Sequence, residues 1–303
     1  MPFQMLANLG LGTAEWTKIA KDGAWQFTRM NLNTFARHGV FGDRKVTKLI
    51  ADRLRDAEKV REAKCFPYQL LMAYAMASQN ADIPRQVTEA LQDAMEIATE
   101  NVPAFDGYEV FVFPDVSASM GSPVKGRRYG STTSVTCHDV SGLAAATVLR
   151  TNKLARVIPF EGRCVNVALN PRDSVMTNAN KLARVGGGST ACSAPLAKLN
   201  AEGVCCDEGR ALCIYVSDNE SWIDSGWSDS TLTMDEWQKF KRRNKKAKMV
   251  CIDIQAYDST QAKDREDILN IGGFSDTVWK VVDAFVKADS PSHWVDVIKQ
   301  VDV

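Results

Sequence analysis

The chain has 303 residues and no long apolar run; nothing in it approaches the ~20 consecutive apolar residues that a membrane-spanning helix needs. Its first residues, MPFQMLANLGLG, lack the basic start and extended apolar core of a secretory signal. Charge of one sign is not in excess either. The 37 Lys and Arg balance the 37 Asp and Glu, so no global field draws the chain to a polyanion, and any basic surface has to be local. Histidine is scarce: His38, His138 and His293 are the three, and none stands in the setting of a hydrolytic triad. The G-x-S-x-G elbow and the phosphate-binding G-x-x-x-x-G-K-S/T loop are both missing. No two of the 8 cysteines form a C-x-x-C pair, which argues against a zinc ribbon. Cys213 and Cys251 lie inside apolar runs, where a thiol acts as a small hydrophobe. Reduced thiols and a cytoplasmic setting follow as the expectation.

What is present is the composition of a soluble globular protein, 45% hydrophobic and 24% charged, on a chain long enough for two domains. Residues 1–105 read as helix after helix. RQVTEALQDAMEIATE places Val87, Ala90, Leu91, Ala94 and Ala98 on one stripe at helical spacing. FPYQLLMAYAMASQ does so with Tyr68, Leu71, Met72, Ala75 and Met76, and Pro67 suits a first helical turn. DRKVTKLIADRLRD repeats the pattern, with Asp43 as its N-cap. The expected architecture is an α-helical, HEAT-like stack with no strand.

Residues 106–303 follow a different pattern. YEVFVFP, ARVIPF, RCVNVAL, ALCIYVSD and AKMVCIDIQ read as strands, with TVWKVV as a weak last one. DVSGLAAATVLR, SVMTNANKLARV, TMDEWQKFKRRNK, KDREDILNIGGF and PSHWVDVIKQ read as helices. Alternating strands and helices predict an α/β, doubly wound, mainly parallel sheet covered on both faces. Ligands of such sheets bind outside the carboxyl ends of the strands.

Those ends carry oxygen donors. YEVFVFP runs into Asp115, Ser117 and Ser119; ALCIYVS runs into Asp218; between them GGGST brings Thr190 on a glycine-rich loop. Two carboxylates and several hydroxyls, with no imidazole or thiolate, suit a hard cation: magnesium, calcium or manganese. With few carboxylates binding directly, such an ion keeps positive charge and an open position for an acidic group from a partner. Taken singly, Asp and Ser after a strand are also ordinary turn and cap residues. A haloacid-dehalogenase-type phosphatase would need a second carboxylate where Ser117 stands.

DVSAS, GGGST and VSDNES, in that order, resemble the metal-ion-dependent adhesion site of von Willebrand factor A (vWA) domains. The resemblance implies that Ser117, Ser119 and Thr190 touch the ion and that Asp115 and Asp218 hold its water ligands. TRMNLNTFARHGVF, CFPYQLLMAYAMA, FVFPDVSASM, PFEGR, GGGSTACSAP and VSDNES together resemble the Ro ribonucleoprotein (TROVE-domain) family, in which helical repeats precede an A domain. That resemblance covers nearly the whole chain. It implies binding of small structured noncoding RNA and misfolded RNA ends, a part in RNA quality control, and scaffolding of partners such as an exoribonuclease, without catalysis. Ala191 stands where relatives often carry Asp, and Phe66 precedes Pro67 where an aromatic residue or His is commoner. The helical part is also shorter than the family's ring-forming array. A metal-dependent adhesion or assembly module that binds no RNA is the alternative, and a metal-dependent phosphatase or nuclease a third.

RNA contacts would need local cations and aromatic faces. Arg29, Arg37, His38, Arg44, Lys45 and Lys48 make a basic run in the helical half, with Trp25, Phe35 and Phe41 as candidate stacking rings. Acidic neighbours Asp43, Asp52 and Asp56 fit a solvated helix face equally. The densest basic run, KFKRRNKKAK at residues 239–248, falls on an outer helix of the A domain. Lys125, Arg127 and Arg128 would rim the ion, and Trp222 and Trp227 follow Asp218 in a loop near the same edge.

Overall fold

The computed structural model describes residues 10–124, 135–152, 154–218, 231–255, 262, 265–275 and 277–288. They form two compact units, residues 10–101 and residues 102–288. Glu220, Trp222, Trp227, Lys125, Arg127, Arg128, His293 and the PSHWVDVIKQ segment lie outside the described residues.

The first unit contains helices α1 (Thr13–Asp22), α2 (Trp25–Met30), α3 (Leu32–Arg37), α4 (Arg44–Leu54), α5 (Ala57–Glu62), α6 (Pro67–Ser78) and α7 (Arg85–Ala98), and no strand among its described residues. Helix α7 buries Val87, Ala90, Leu91, Ala94, Met95 and Ala98, one continuous stripe that packs against α4, α5 and α6. The Asp43 carboxylate caps α4 by accepting from Lys45 N at 2.8 Å. Val46, Ile50 and Leu54 then face inward. Helix α6 departs from the expected stripe: it buries Pro67, Leu70, Leu71 and Ala77, while Tyr68, Met72, Ala75 and Met76 are half-buried. Its sequence is apolar on nearly every side, so spacing alone does not select the face.

The second unit contains β1 (Glu109–Pro114), α8 (Cys137–Thr151), β2 (Arg156–Val157), α9 (Val175–Ala183), α10 (Ala194–Ala201), β3 (Ala211–Ser217), α11 (Leu232–Arg243), β4 (Lys248–Asp253), β5 (Ile268–Gly272) and α12 (Val278–Lys287). The strands pair in the order β2-β1-β3-β4-β5, every neighbour parallel. All seven residues of β3 are buried, as a central strand covered on both faces requires. On one face Phe111, Phe113, Cys213, Tyr215, Met249 and Cys251 share a core with Leu196 and Leu199 of α10 and Met234, Trp237 and Phe240 of α11. Helix α8 runs against β1, β2 and β3 and against α9. Gly142 permits that last approach, because a Cβ there would stand 2.8 Å from Ala179 O. The chain leaves β1 towards β2 on one side and returns as β3 on the other. The crevice at the carboxyl ends of β1 and β3 is therefore the switch point of the sheet.

Four expectations need correction. Residues 268–272 of KDREDILNIGGF form edge strand β5, not a helix; Ile268 and Ile271 align with Met249 and Ile252 of β4. TVWKVV opens helix α12, not a strand. Val278, Trp279, Val282, Phe285 and Val286 form a helical stripe that only a ten-residue view shows. RCVNVAL is not a strand: Cys164 makes an isolated bridge to Phe160, and the rest has no ladder partner. ARVIPF pairs as a strand only at Arg156 and Val157, with a further bridge from Phe160 to Asp115.

Candidate metal centre

Parallel register brings three acidic strand ends to one edge. Val216 O accepts from Asp115 N at 3.0 Å, and Ser217 is level with Asp253. Asp115, Asp218 and Asp253 are all buried there, at 0%, 4% and 4% exposure. Asp115 Oδ1 accepts from Ser117 N at 2.8 Å and Oδ2 from Ser217 Oγ at 2.6 Å. Burial pushes the Asp115 carboxyl up to about 6; hydrogen bonds from Ser217 and Ser117 oppose this, and the Asp218 charge adds to it. None of these influences is a cation. The buried Cys137 thiol is likewise pushed up to about 12, by burial and by the charges of Asp218, Asp253 and Asp115.

The hydroxyls converge on this acidic edge. Ser117 Oγ lies 3.1 Å from Ser119 Oγ, so the two face a common point. His138 Nε2, on the first turn of α8, is 2.8 Å from Ser117 O. The loop that carries Thr190 docks backbone to backbone on the same segment: Gly187 N donates to Val116 O at 2.8 Å, and Ala118 N donates to Gly188 O at 2.9 Å. Gly186 is required for that approach. Its φ is +87°, and a Cβ would stand 2.1 Å from Val116 O. Thr190 itself is buried.

The structure thus brings the segment of Asp115, Ser117 and Ser119, the loop of Thr190 and the strand end of Asp218 to one edge. The donor set fits a hard divalent cation: oxygen donors around buried negative charge, with no cation among the described residues acting on Asp115. Sequence reading missed Ser217, His138 and Glu161. Glu161 Oε2 accepts from Gly188 N at 2.8 Å, and Glu161 O accepts from Ala191 N at 3.0 Å. A serine immediately before Asp218 was the one visible sign of Ser217.

The basic run of the helical unit is divided in its roles. Arg29 donates to Gln69 O at 3.0 Å and to Gln69 Oε1 at 3.3 Å. His38 stacks on Trp16, ring centroids 4.6 Å apart. Lys48 pairs with Asp52. Arg37, Arg44 and Lys45 are exposed, and their side chains have no ion pair or hydrogen bond among the described residues. Trp25 and Phe35 are core residues rather than stacking platforms, the first donating from Nε1 to Leu54 O at 3.0 Å. Phe41 is half-buried.

The family model for the Ro60 vWA domain matches residues 109–286. The RNA-binding protein RO60 of Deinococcus radiodurans is 24% identical over 282 residues, covering 86% of this chain and 48% of its own length. The chain thus spans about half the length of the curated relative it matches. The crystal structure of the Deinococcus radiodurans RO (RSR) protein superposes with a TM-score of 0.76 at 18% identity, over 96% of this chain and 58% of that one. At that identity the likeness shows the fold. The vWA-domain match, which takes in more than half of the residues, shows that the chain belongs to the Ro family of vWA-domain proteins.

Proposed function

We propose that the chain is a non-enzymatic RNA-binding scaffold of the Ro type. It would bind small structured noncoding RNA and misfolded RNA, and hold a divalent cation in its A domain. The observation that carries this reading is the reach of the alignment with the RNA-binding relative. It covers more of the chain than the A domain alone, so the pairing of helical unit and A domain is itself shared. Arg37, Arg44 and Lys45, exposed and without an ion pair among the described residues, would supply cations for phosphate oxygens in the helical unit.

In the A domain, Ser117, Ser119 and Thr190 would hold the ion, with Asp115 and Asp218 anchoring its water ligands. The ion would be magnesium, or calcium or manganese with the same donors. When bound it supplies positive charge that an acidic group of a partner protein, such as an exoribonuclease, can ligate. On the protein's side, Asp115 fixes the Ser117 backbone through Oδ1. It is held in turn by the Ser217 hydroxyl.

Filter binding of the full chain to a structured RNA, with and without EDTA, tests the first part. Affinity no higher than that of a neutral control protein would overturn RNA binding and leave the metal-dependent adhesion module in its place. Titration calorimetry with Mg2+ and Mn2+ tests the second. Ser117→Ala combined with Thr190→Ala should abolish ion binding while circular dichroism stays native; unchanged affinity would remove the metal assignment.

A further inference from the structure

The segment PFEGR takes no part in the ion's donor set, yet it touches two of the site's loops. Phe160 extends the pairing of β1 past its end: Val116 N donates to Phe160 O at 2.8 Å, and Phe160 N donates to Pro114 O at 3.1 Å. The next residue, Glu161, faces the glycine loop. Its carboxylate accepts from Gly188 N and its carbonyl accepts from Ala191 N. Gly188 O meanwhile accepts from Ala118 N, between Ser117 and Ser119. The Gly188 residue is therefore clamped from both sides, by the serine segment through its carbonyl and by Glu161 through its N–H. Thr190 lies between the two N–H groups that Glu161 holds.

We infer that Glu161 is a positioning residue for Thr190, holding the threonine hydroxyl at the ion rather than binding the ion itself. This rests on the metal reading given above. The serine segment holds the loop through two backbone bonds, Gly187 N to Val116 O and Ala118 N to Gly188 O, and Glu161 adds the restraint nearest Thr190. Residues 186–189 are exposed, and Gly186 and Gly187 sit at positive φ, where the glycine backbone has wide freedom. A charged acceptor on a backbone N–H is a strong local restraint. Glu161 is half-buried and borders a cavity of about 390 Å3 with Gly186, Arg163 and Asn166, so shortening it leaves no sealed void in the core.

The test is Mn2+ and Mg2+ titration calorimetry on the full chain, with circular dichroism as the folding control. Glu161→Ala should weaken ion binding about 10–100-fold, as loss of a group that orients a ligand does. Glu161→Gln, which keeps an acceptor oxygen, should recover most of that loss. In a Thr190→Ala background, Glu161→Ala should cost nothing further, because the group it positions is gone. Gly188→Ala is the independent variant should Glu161→Ala fail to fold. Its φ lies outside the left-handed region, and its Cβ would meet Glu161 Oε2 at 2.8 Å, so it displaces the carboxylate. It should weaken binding in the same direction.

Unchanged affinity in Glu161→Ala overturns the inference. So does a further loss when Glu161→Ala is added to Thr190→Ala, and so does equal weakening by Gln and Ala, which would mean the charge acts on the ion directly. A wild-type chain that binds neither ion would instead overturn the metal reading on which the inference rests.

Discussion

The densest basic run of each unit is engaged by its own fold to a different extent. In the A domain the run at residues 239–248 looks like the strongest polyanion site in the sequence, yet the fold uses most of it internally. Lys239 pairs with Glu236, Lys246 with Glu208, and Lys241 with Asp267 while also donating to Lys245 O and Ala247 O at 2.9 Å. Arg243 bonds Asn200 and Val204 O. Lys248 Nζ donates to Phe285 O, Val286 O and Ala288 O at 2.8, 2.9 and 2.7 Å, closing the C-terminus of α12, where a cation is favoured. In the helical unit the basic run is thinner; Arg29 and Lys48 are engaged, while Arg37, Arg44 and Lys45 are exposed and have no ion pair among the described residues. The density of charge in a sequence therefore says little about how much charge a partner can reach.

The comparison can be broken most forcefully at the A-domain core. Trp237 is wholly buried, stacks on Phe240 with centroids 5.9 Å apart, and donates from Nε1 to Asp267 Oδ2 at 3.1 Å. Trp237→Ala should cost about 3–5 kcal/mol in chemical denaturation, by cavity and by loss of that bond. RNA affinity of the molecules that stay folded should not change; a parallel loss would tie RNA binding to the A domain. Lys248→Met comes next. Removing the three charge-assisted bonds should cost about 1.5–3 kcal/mol, again with RNA affinity retained. Loss of RNA binding there would show that the A-domain cations reach the ligand after all.

The smallest stability effect and the clearest functional one belong to the helical unit. Replacing Arg37, Arg44 and Lys45 together by Ala should move stability by no more than about 0.5 kcal/mol. It should lower RNA affinity about tenfold and flatten its salt dependence, each lost phosphate contact reducing the slope by about 1. Equilibrium binding at several salt concentrations measures both. The matched control is Arg242→Ala with Lys245→Ala, two exposed positions of the other run, for which the salt slope should stay as it was. If the control loses affinity and the triple variant does not, the assignment of roles to the two units is reversed.

Much of the fold could be read from spacing. The stripe of α7, the Asp43 cap and the apolar run of β3 are local patterns, and local structure follows them. The errors have physical causes as well. Helix α6 is apolar all round, so its buried face is chosen by its neighbours. In α12 the helical period emerges only over ten residues, and a six-residue view of TVWKVV sees β-branched side chains instead. Residues 268–272 are strand because β4 offers an unpaired edge, a fact about another segment. In the candidate site, the types and order of Asp115, Ser117, Ser119, Thr190 and Asp218 stood in the sequence. Glu161, His138 and Ser217 did not stand out, because each acts through hydrogen bonds to a distant segment.

The sequence by itself determined the period of most elements, the oxygen character of the strand ends and the glycine freedom of the loop at residues 186–188. These depend on a residue and its near neighbours. Tertiary structure alone decided that Ser217 would meet Asp115, 102 positions away, that Glu161 would grip Gly188, and which cations would be left for a partner. The reason is range. Backbone preference and hydrophobic period act over a few residues, whereas a hydrogen bond or an ion pair needs two groups within about 3–4 Å, and only the packed sheet brings those groups together.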